Sequence, residues 1–258
     1  MSLVNVALLK GNLTHEPYFD LIPGSGMPFL RFYLGVNLPE GLGLTYLLGN
    51  VVQPPYFDRV GVVNRPFMRL FMAVDRPPSR QRNGRRADFL RVVAYGDTAL
   101  FSYPYLKPGS QILACGNLRA RQHKHPDGER TVVELIAEES GLNFIRKIKW
   151  REGDEARERI LAERGKTSHS DEAPSLPGGG FFRVVTYGEL ARVCYPYLRT
   201  GSKVFVRGEL QSRKVPSQGG GRDEKTVVEI VAQEITFLKN IEWEAGNAVR
   251  DSLMREEV

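Results

Sequence analysis

Phe89, Arg91 and Tyr95 lie on one face of the segment FLRVVAY if it is extended, and FFRVVTY sets Phe181, Arg183 and Tyr187 in the same pattern. Two flat π-faces beside a guanidinium offer stacking and positive charge; they supply neither a nucleophile nor a proton relay. An aromatic side chain in a strand more often faces the core, but arginine is seldom buried unpaired, so its presence on this face favours a ligand. A second group, Arg76, Arg80, Arg82, Arg85 and Arg86, falls in RPPSRQRNGRR with no acidic residue among them. Such a cluster is either a solvated charge run or a set of phosphate contacts, which fix affinity without reading sequence. Further on, Arg119, Arg121 and His123 alternate onto one side of LRARQHKH with Lys124 following, and the corresponding later run supplies Arg213 and Lys214. Aromatic faces interleaved with basic residues suit a single-stranded nucleic acid, where each stacked base contributes roughly 1–3 kcal/mol.

Other chemistries find no footing. His15, His123, His125 and His169 do not combine with cysteine or carboxylates into a metal-ligand spacing, and neither a P-loop, a GxGxxG after a strand nor a GxSxG is present. The expectation is a protein that is not an enzyme and takes no cofactor or metal. Cys115 and Cys194 form no CxxC and are expected to be free thiols. The 258-residue chain is 41% hydrophobic and 26% charged, a globular composition. Its net charge of +6 and pI near 9.3 admit a polyanionic partner without requiring one. No apolar run approaches the roughly eighteen residues of a membrane span, so the expectation is a cytoplasmic protein without membrane contact.

The elements that must position these residues are written twice. KGNLTHEPYFD at Lys10 returns as LGNVVQPPYFD at Leu48, and RFYLGVN at Arg31 as RLFMAVD at Arg69, at a constant offset of 38. A different repeat follows at an offset of 92: FLRVVAYGD at Phe89 returns at Phe181, YPYLKPGS at Tyr103 returns as YPYLRTGS at Tyr195, and GNL at Gly116 as GEL at Gly208. TVVELIA at Thr131 returns as TVVEIVA at Thr226. The order is front, front, back, back. A front half reads as a long strand, a turn at PGSG and a second strand. A back half reads as a strand, the short helix DTALFSYPYL closed by KPGS, and two strands around HPDG. One front and one back give about five strands and a helix, the inventory of a small Greek-key barrel of the OB type.

VNVALLKGNLTHEP, FLRVVAYGDTALFSYPYLKPGS and GNLRARQ resemble the OB fold of bacterial single-stranded DNA-binding proteins over most of residues 1–37, 45–150 and 180–240. The resemblance implies an all-β chain of two OB folds that binds single-stranded DNA during replication, recombination or repair, with base-stacking platforms at Phe89 and Tyr95. It also implies a homodimer, since the family commonly presents four OB folds. The chain departs from the family in places. The tryptophan after the second strand is absent, with Glu40 and Pro78 near its positions. A stacking tryptophan of the fourth strand is replaced by His123 and Val215, and Asp20 and Asp58 stand where a basic residue is common. The sequence ends RDSLMREEV, without the acidic, Phe-tipped tail through which the family recruits replication or repair enzymes.

Residues 44–150 are contiguous and are expected to form one complete OB domain. Residues 1–37 must then pair with 180–243 as an outer, discontinuous domain, so that the inner domain sits in the β2–β3 loop of the outer one. Residues 151–179 read as a charged helix and flexible linker, and 244–258 as a tail. A crossed pairing of the halves is the alternative. It exchanges a local hairpin for a long connection. Two other functions fit the same sequence: an adaptor or primosome-type OB protein with weak nucleic-acid binding, and an RNA-binding OB protein.

Overall fold

Met68, Leu70, Met72 and Val74 alternate with Phe67, Arg69, Phe71 and Ala73, and the strand they form buries the first set and turns the second outward. The same logic builds the rest of the protein. The computed structural model describes residues 5–37, 42–62, 64–76, 86–125, 128–164, 179–216 and 224–255. Its strands are β1 (Asn5–Leu13), β2 (Tyr18–Leu21), β3 (Pro28–Asn37), β4 (Leu42–Val51), β5 (Tyr56–Val60), β6 (Arg65–Asp75), β7 (Ala87–Tyr95), β8 (Gln111–His125), β9 (Gly128–Arg146), β10 (Gly179–Tyr187), β11 (Lys203–Pro216) and β12 (Glu224–Lys239). The helices are α1 (Gly96–Ser102), α2 (Trp150–Arg164), α3 (Glu189–Cys194) and α4 (Trp243–Arg255), with 3-10 turns at Tyr103–Tyr105 and Tyr195–Tyr197. No helix among the described residues is long and apolar enough to cross a membrane.

The chain divides into two compact units. One holds Met1–Asn5, Thr45–Arg119 and Glu134–Gly178; the other holds Val6–Leu44, Ala120–Val133 and Gly179–Val258. In the first, β4 pairs with β6, β6 with β7, β7 in parallel with β9, β9 with β8, and β8 with β4, a closed five-strand circuit of OB type. In the second, β1 pairs with β3, β3 with β10, β10 in parallel with β12, β12 with β11, and β11 with β1. Phe32, Phe182, Leu9, Leu34 and Leu70 are among the side chains fully withdrawn from water, each contributing about 1.5–3 kcal/mol.

The repeated words acquire physical reasons. A Cβ at Gly116 would collide with the carbonyl of Ile136, and one at Gly208 with that of Val231, so the glycine of GNL and GEL lets two strands close at a barrel corner. The serine of each PGS or TGS motif ties the barrel's bottom. Ser110 Oγ accepts from the Lys107 N–H at 3.0 Å and donates to the Lys147 carbonyl at 2.9 Å; Ser202 repeats this with Arg199 at 3.0 Å and Asn240 at 2.8 Å. Both cysteines are free, and burial pushes the Cys194 thiol up to about 12.

Two features exceed the five-strand inventory. After Leu13 and after Val51 the chain runs through Pro17 or Pro54–Pro55 and then adds a short edge strand, β2 against β3 and β5 against β6. The prolines and the exposed, four- to five-residue length hide these strands from a periodicity argument. The charged segment after Trp150 forms the packed helix α2, and the segment expected to be a tail begins as a second packed helix, α4. Trp150 of α2 lies edge-on to Tyr105 and Phe144, each at 5.9 Å, and the Tyr105 hydroxyl donates to Asp154 at 2.9 Å. Trp243 of α4 meets Tyr197 at 5.5 Å and Phe237 at 5.7 Å, with the Tyr197 hydroxyl donating to Asn247 at 2.9 Å. A Cβ at Gly153 would strike the Tyr105 ring. Gly153→Ala should therefore lower stability by at least about 1 kcal/mol, read as a drop in Tm; an unchanged Tm would show that α2 is not seated on Tyr105.

Candidate nucleic-acid interface

In the first unit the outward face of β6 and β7 carries a continuous aromatic and basic surface. Cross-strand register places Tyr95 opposite Phe67, Arg91 opposite Phe71 and Phe89 opposite Ala73. Ring centres of Tyr56 and Phe67 lie 6.3 Å apart, and those of Phe67 and Tyr95 5.3 Å apart. Guanidiniums cover the rings: Arg69 over Tyr56 at 5.1 Å, Arg65 over Tyr95 at 5.1 Å and Arg91 over Phe71 at 5.3 Å. Phe89, set against the small Ala73, keeps 48% of its surface exposed. At the centre Glu134, almost wholly buried, takes Arg119 Nε at 3.0 Å with Arg91 Nη1 at 3.9 Å. Arg119 also donates to the Tyr95 hydroxyl at 3.1 Å. Burial opposes its charge, but the hydrogen bonds to Glu134 and Tyr95, together with the charges of those groups, hold the guanidinium above its ordinary value.

The second unit repeats the surface on β3 and β10. Tyr187 stands opposite Phe29, Arg183 opposite Tyr33, and Phe181 opposite Gly35, which leaves Phe181 63% exposed. Tyr18 and Phe29 are 6.5 Å apart, Phe29 and Tyr187 5.4 Å, and Arg31 sits 4.8 Å over Tyr18. Glu229 accepts from Arg213 Nε at 3.1 Å and pairs with Arg183 Nε at 3.2 Å. Burial pushes the Arg183 guanidinium down from its ordinary value. These side chains border a groove of about 430 Å³ reaching from Tyr18 and Phe29 to Tyr187 and Arg213, with Glu229 in its lining. Asp58 and Asp20 sit beside the two surfaces as acceptors, Tyr56 donating to Asp58 at 2.7 Å and Tyr18 to Asp20 at 2.6 Å. Those hydroxyl bonds raise the phenols and lower the carboxyls from their ordinary values.

The structure thus brings Phe89, Arg91, Tyr95 and Arg119 onto one face, and Phe181, Arg183, Tyr187 and Arg213 onto another. Arg121 and His123 are exposed farther along β8, Lys124 continues that strand, and Lys214 is exposed on β11. Arg80, Arg82 and Arg85 lie outside the described residues. Arg76 is engaged differently from the cluster it begins: it grips the buried Asp88 through Nε at 2.9 Å and Nη2 at 2.6 Å. Its N–H meets the carbonyl of the exposed Arg86 at 2.8 Å, closing the root of the β6–β7 hairpin. The relevant acid stands two residues beyond the last arginine rather than among them. Reasoning from the sequence missed Tyr56, Phe67, Arg69 and Phe71, with their partners Tyr18, Phe29, Arg31 and Tyr33, although the gapless front repeat contains all eight. It also passed over Glu134 and Glu229. Among the described residues no group of three or more His, Cys, Asp or Glu is placed to hold a metal ion.

The model of the single-strand binding protein family matches residues 44–143 and 167–238. Single-stranded DNA-binding protein 2 of Chlorobaculum tepidum is 49% identical over 55 residues, 21% of this chain and 36% of that protein. The single-stranded DNA-binding protein of Xanthomonas campestris pv. campestris is 45% identical over 56 residues, 22% of this chain and 31% of that protein. The chain thus spans about a third of the length of the curated relatives it matches. Among solved structures, the wild-type single-stranded DNA binding protein from Thermus aquaticus aligns over 92% of this chain and 94% of its own, at 16% identity and a TM-score of 0.40. The small single-stranded DNA-binding protein from Streptomyces coelicolor aligns over 40% of this chain and 93% of its own, at 21% identity and a TM-score of 0.33.

Proposed function

The chain belongs to the single-strand binding protein family, and from that premise we propose that it binds single-stranded DNA with little sequence preference, in the processes that expose single strands: replication, recombination and repair. The observation that carries this reading is the outward aromatic and arginine face of β6 and β7, repeated on β3 and β10. Rings at these spacings offer generic π-faces to any base, and exposed basic residues beside them, Arg121 on β8 and Lys214 on β11, hold the strand by charge. A duplex keeps its bases stacked on one another and offers such a face nothing to bind.

The site comprises Phe89, Arg91, Tyr95, Arg119, Arg121, His123 and Lys124 with the hairpin arginines, and Phe181, Arg183, Tyr187, Arg213 and Lys214. We extend it to Tyr56, Phe67, Arg69 and Phe71 and to their partners in the front repeat. The two barrels are an OB domain nested within another, a reading supported by the pairing of β3 with β10 and of β1 with β11. Two such domains per chain suit a homodimer presenting four. Light scattering at micromolar concentration should give twice the 29.1 kDa chain mass; a 29 kDa species alone would remove the dimer from the account.

Equilibrium titration of fluorescent oligonucleotides tests the function. A mixed-sequence single strand should bind far more tightly than its duplex, with an affinity that falls steeply as salt rises. Equal affinity for duplex would sink the reading, preferential binding of the matching RNA strand would favour an RNA-binding protein, and no binding at low salt would favour an adaptor.

A further inference from the structure

Each sheet face is built around one buried carboxylate bracketed by two guanidiniums, and the brackets are assembled from different positions. The repeat aligns Arg119 with Gln211 and Arg121 with Arg213. Glu134 nevertheless receives Arg119, whereas Glu229 receives Arg213, the residue one outward step farther along its strand. What recurs is the bracket, Arg91–Glu134–Arg119 in one unit and Arg183–Glu229–Arg213 in the other. If these arginines served only to meet phosphates, their positions would recur and a carboxylate among them would be counterproductive.

Resting on the single-strand reading above, we infer that Glu134 and Glu229 are positioning residues that hold the bracketed arginines flat on the sheet as stacking surfaces for bases, withdrawn from phosphate contact. A guanidinium is planar, delocalised and weakly hydrated, so its face accepts a base as an aromatic ring does. The observed contacts fix that orientation. Arg91 lies against Phe71 while facing Glu134, and Arg119 is tied along its edge to both Glu134 and the Tyr95 hydroxyl. Hydrogen bonds to the carboxylate engage Arg119 and Arg213 through the guanidinium edge, taking Nε donors that a phosphate would otherwise meet.

The test is a salt series of titrations of the full chain with oligo(dT), comparing wild type with Arg119→Lys, Arg213→Lys, Glu134→Gln and Glu229→Gln. Lysine keeps the charge and loses the plane, so Arg119→Lys should weaken binding about tenfold with an unchanged salt slope. Glu134→Gln and Glu229→Gln release guanidiniums to phosphates and should each steepen the slope, by about 0.7 unit for every guanidinium that gains a phosphate. Asp58→Asn removes a charge beside the same face without touching either bracket and should leave the slope as it is. Wild-type affinity in both lysine variants, or slopes unmoved by both glutamine variants in folded protein, would overturn the inference. Should Glu134→Gln fail to fold, Glu229→Gln and the lysine pair give the answer. Wild type that binds no oligo(dT) would instead overturn the functional reading.

Discussion

Changing Arg80, Arg82 and Arg85 to alanine together should weaken single-strand binding about a hundredfold near 0.1 M salt and flatten the salt slope by about 2 units. Each phosphate contact on a single strand releases close to 0.7 of a counterion, and three contacts removed together account for both figures. The root of the hairpin concentrates the effect on these three. Arg76 is committed to Asp88, so the cation at the start of the loop serves its anchoring. Breaking that pair would leave an uncompensated buried carboxylate and confuse a binding measurement with a folding one. The triple variant leaves the anchor intact. A slope that stays at the wild-type value would mean that the loop is a solvated charge run and meets no phosphate.

Phe89→Ala should cost about 1–3 kcal/mol of binding free energy and leave the salt slope almost unchanged, the opposite signature to the arginine triple. Phe89 is half exposed because its cross-strand neighbour is Ala73, so one ring face is open to a base and little core packing is lost on truncation. Phe181, opposite Gly35, occupies the same station in the second unit. Phe181→Ala should cost less, because that face has no arginine hairpin beside it to hold the strand in place. The check is a salt-matched titration of each folded variant. A larger loss from Phe181→Ala would transfer the dominant surface to the second unit.

The architecture was legible wherever burial and period coincide. FLRVVAY announces its strand because a two-sided environment imposes alternation on it. YFD does not, being short, exposed and preceded by proline, so β2 and β5 come only from the pairing. Nor did the seating of α2 and α4. Its signal is a sparse repeat, Trp150 with Trp243 and Gly153 with Gly246, whose meaning depends on Tyr105 and Tyr197 far away in the sequence. At the binding face the sequence marked the aromatics and cations of β7 and β10, but a glutamate inside TVVELIA has no visible partner. Arg119 is fifteen residues distant and meets Glu134 only once β8 and β9 lie side by side. Phe67 and Phe71 were equally hidden, since alternation cannot say which face of a strand meets solvent when both faces are apolar.

Photocrosslinking tests the central claim most directly. An oligonucleotide carrying 5-iododeoxyuridine at successive positions, bound to the full chain and irradiated, marks the aromatic residues against which its bases stack. The account predicts adducts at Phe89 and Tyr95 or their neighbours Phe67 and Phe71, and weaker ones at Phe181 and Tyr187. Adducts confined to Trp150, Trp243 or Tyr103, with none on the outward face of β6 and β7, would contradict it.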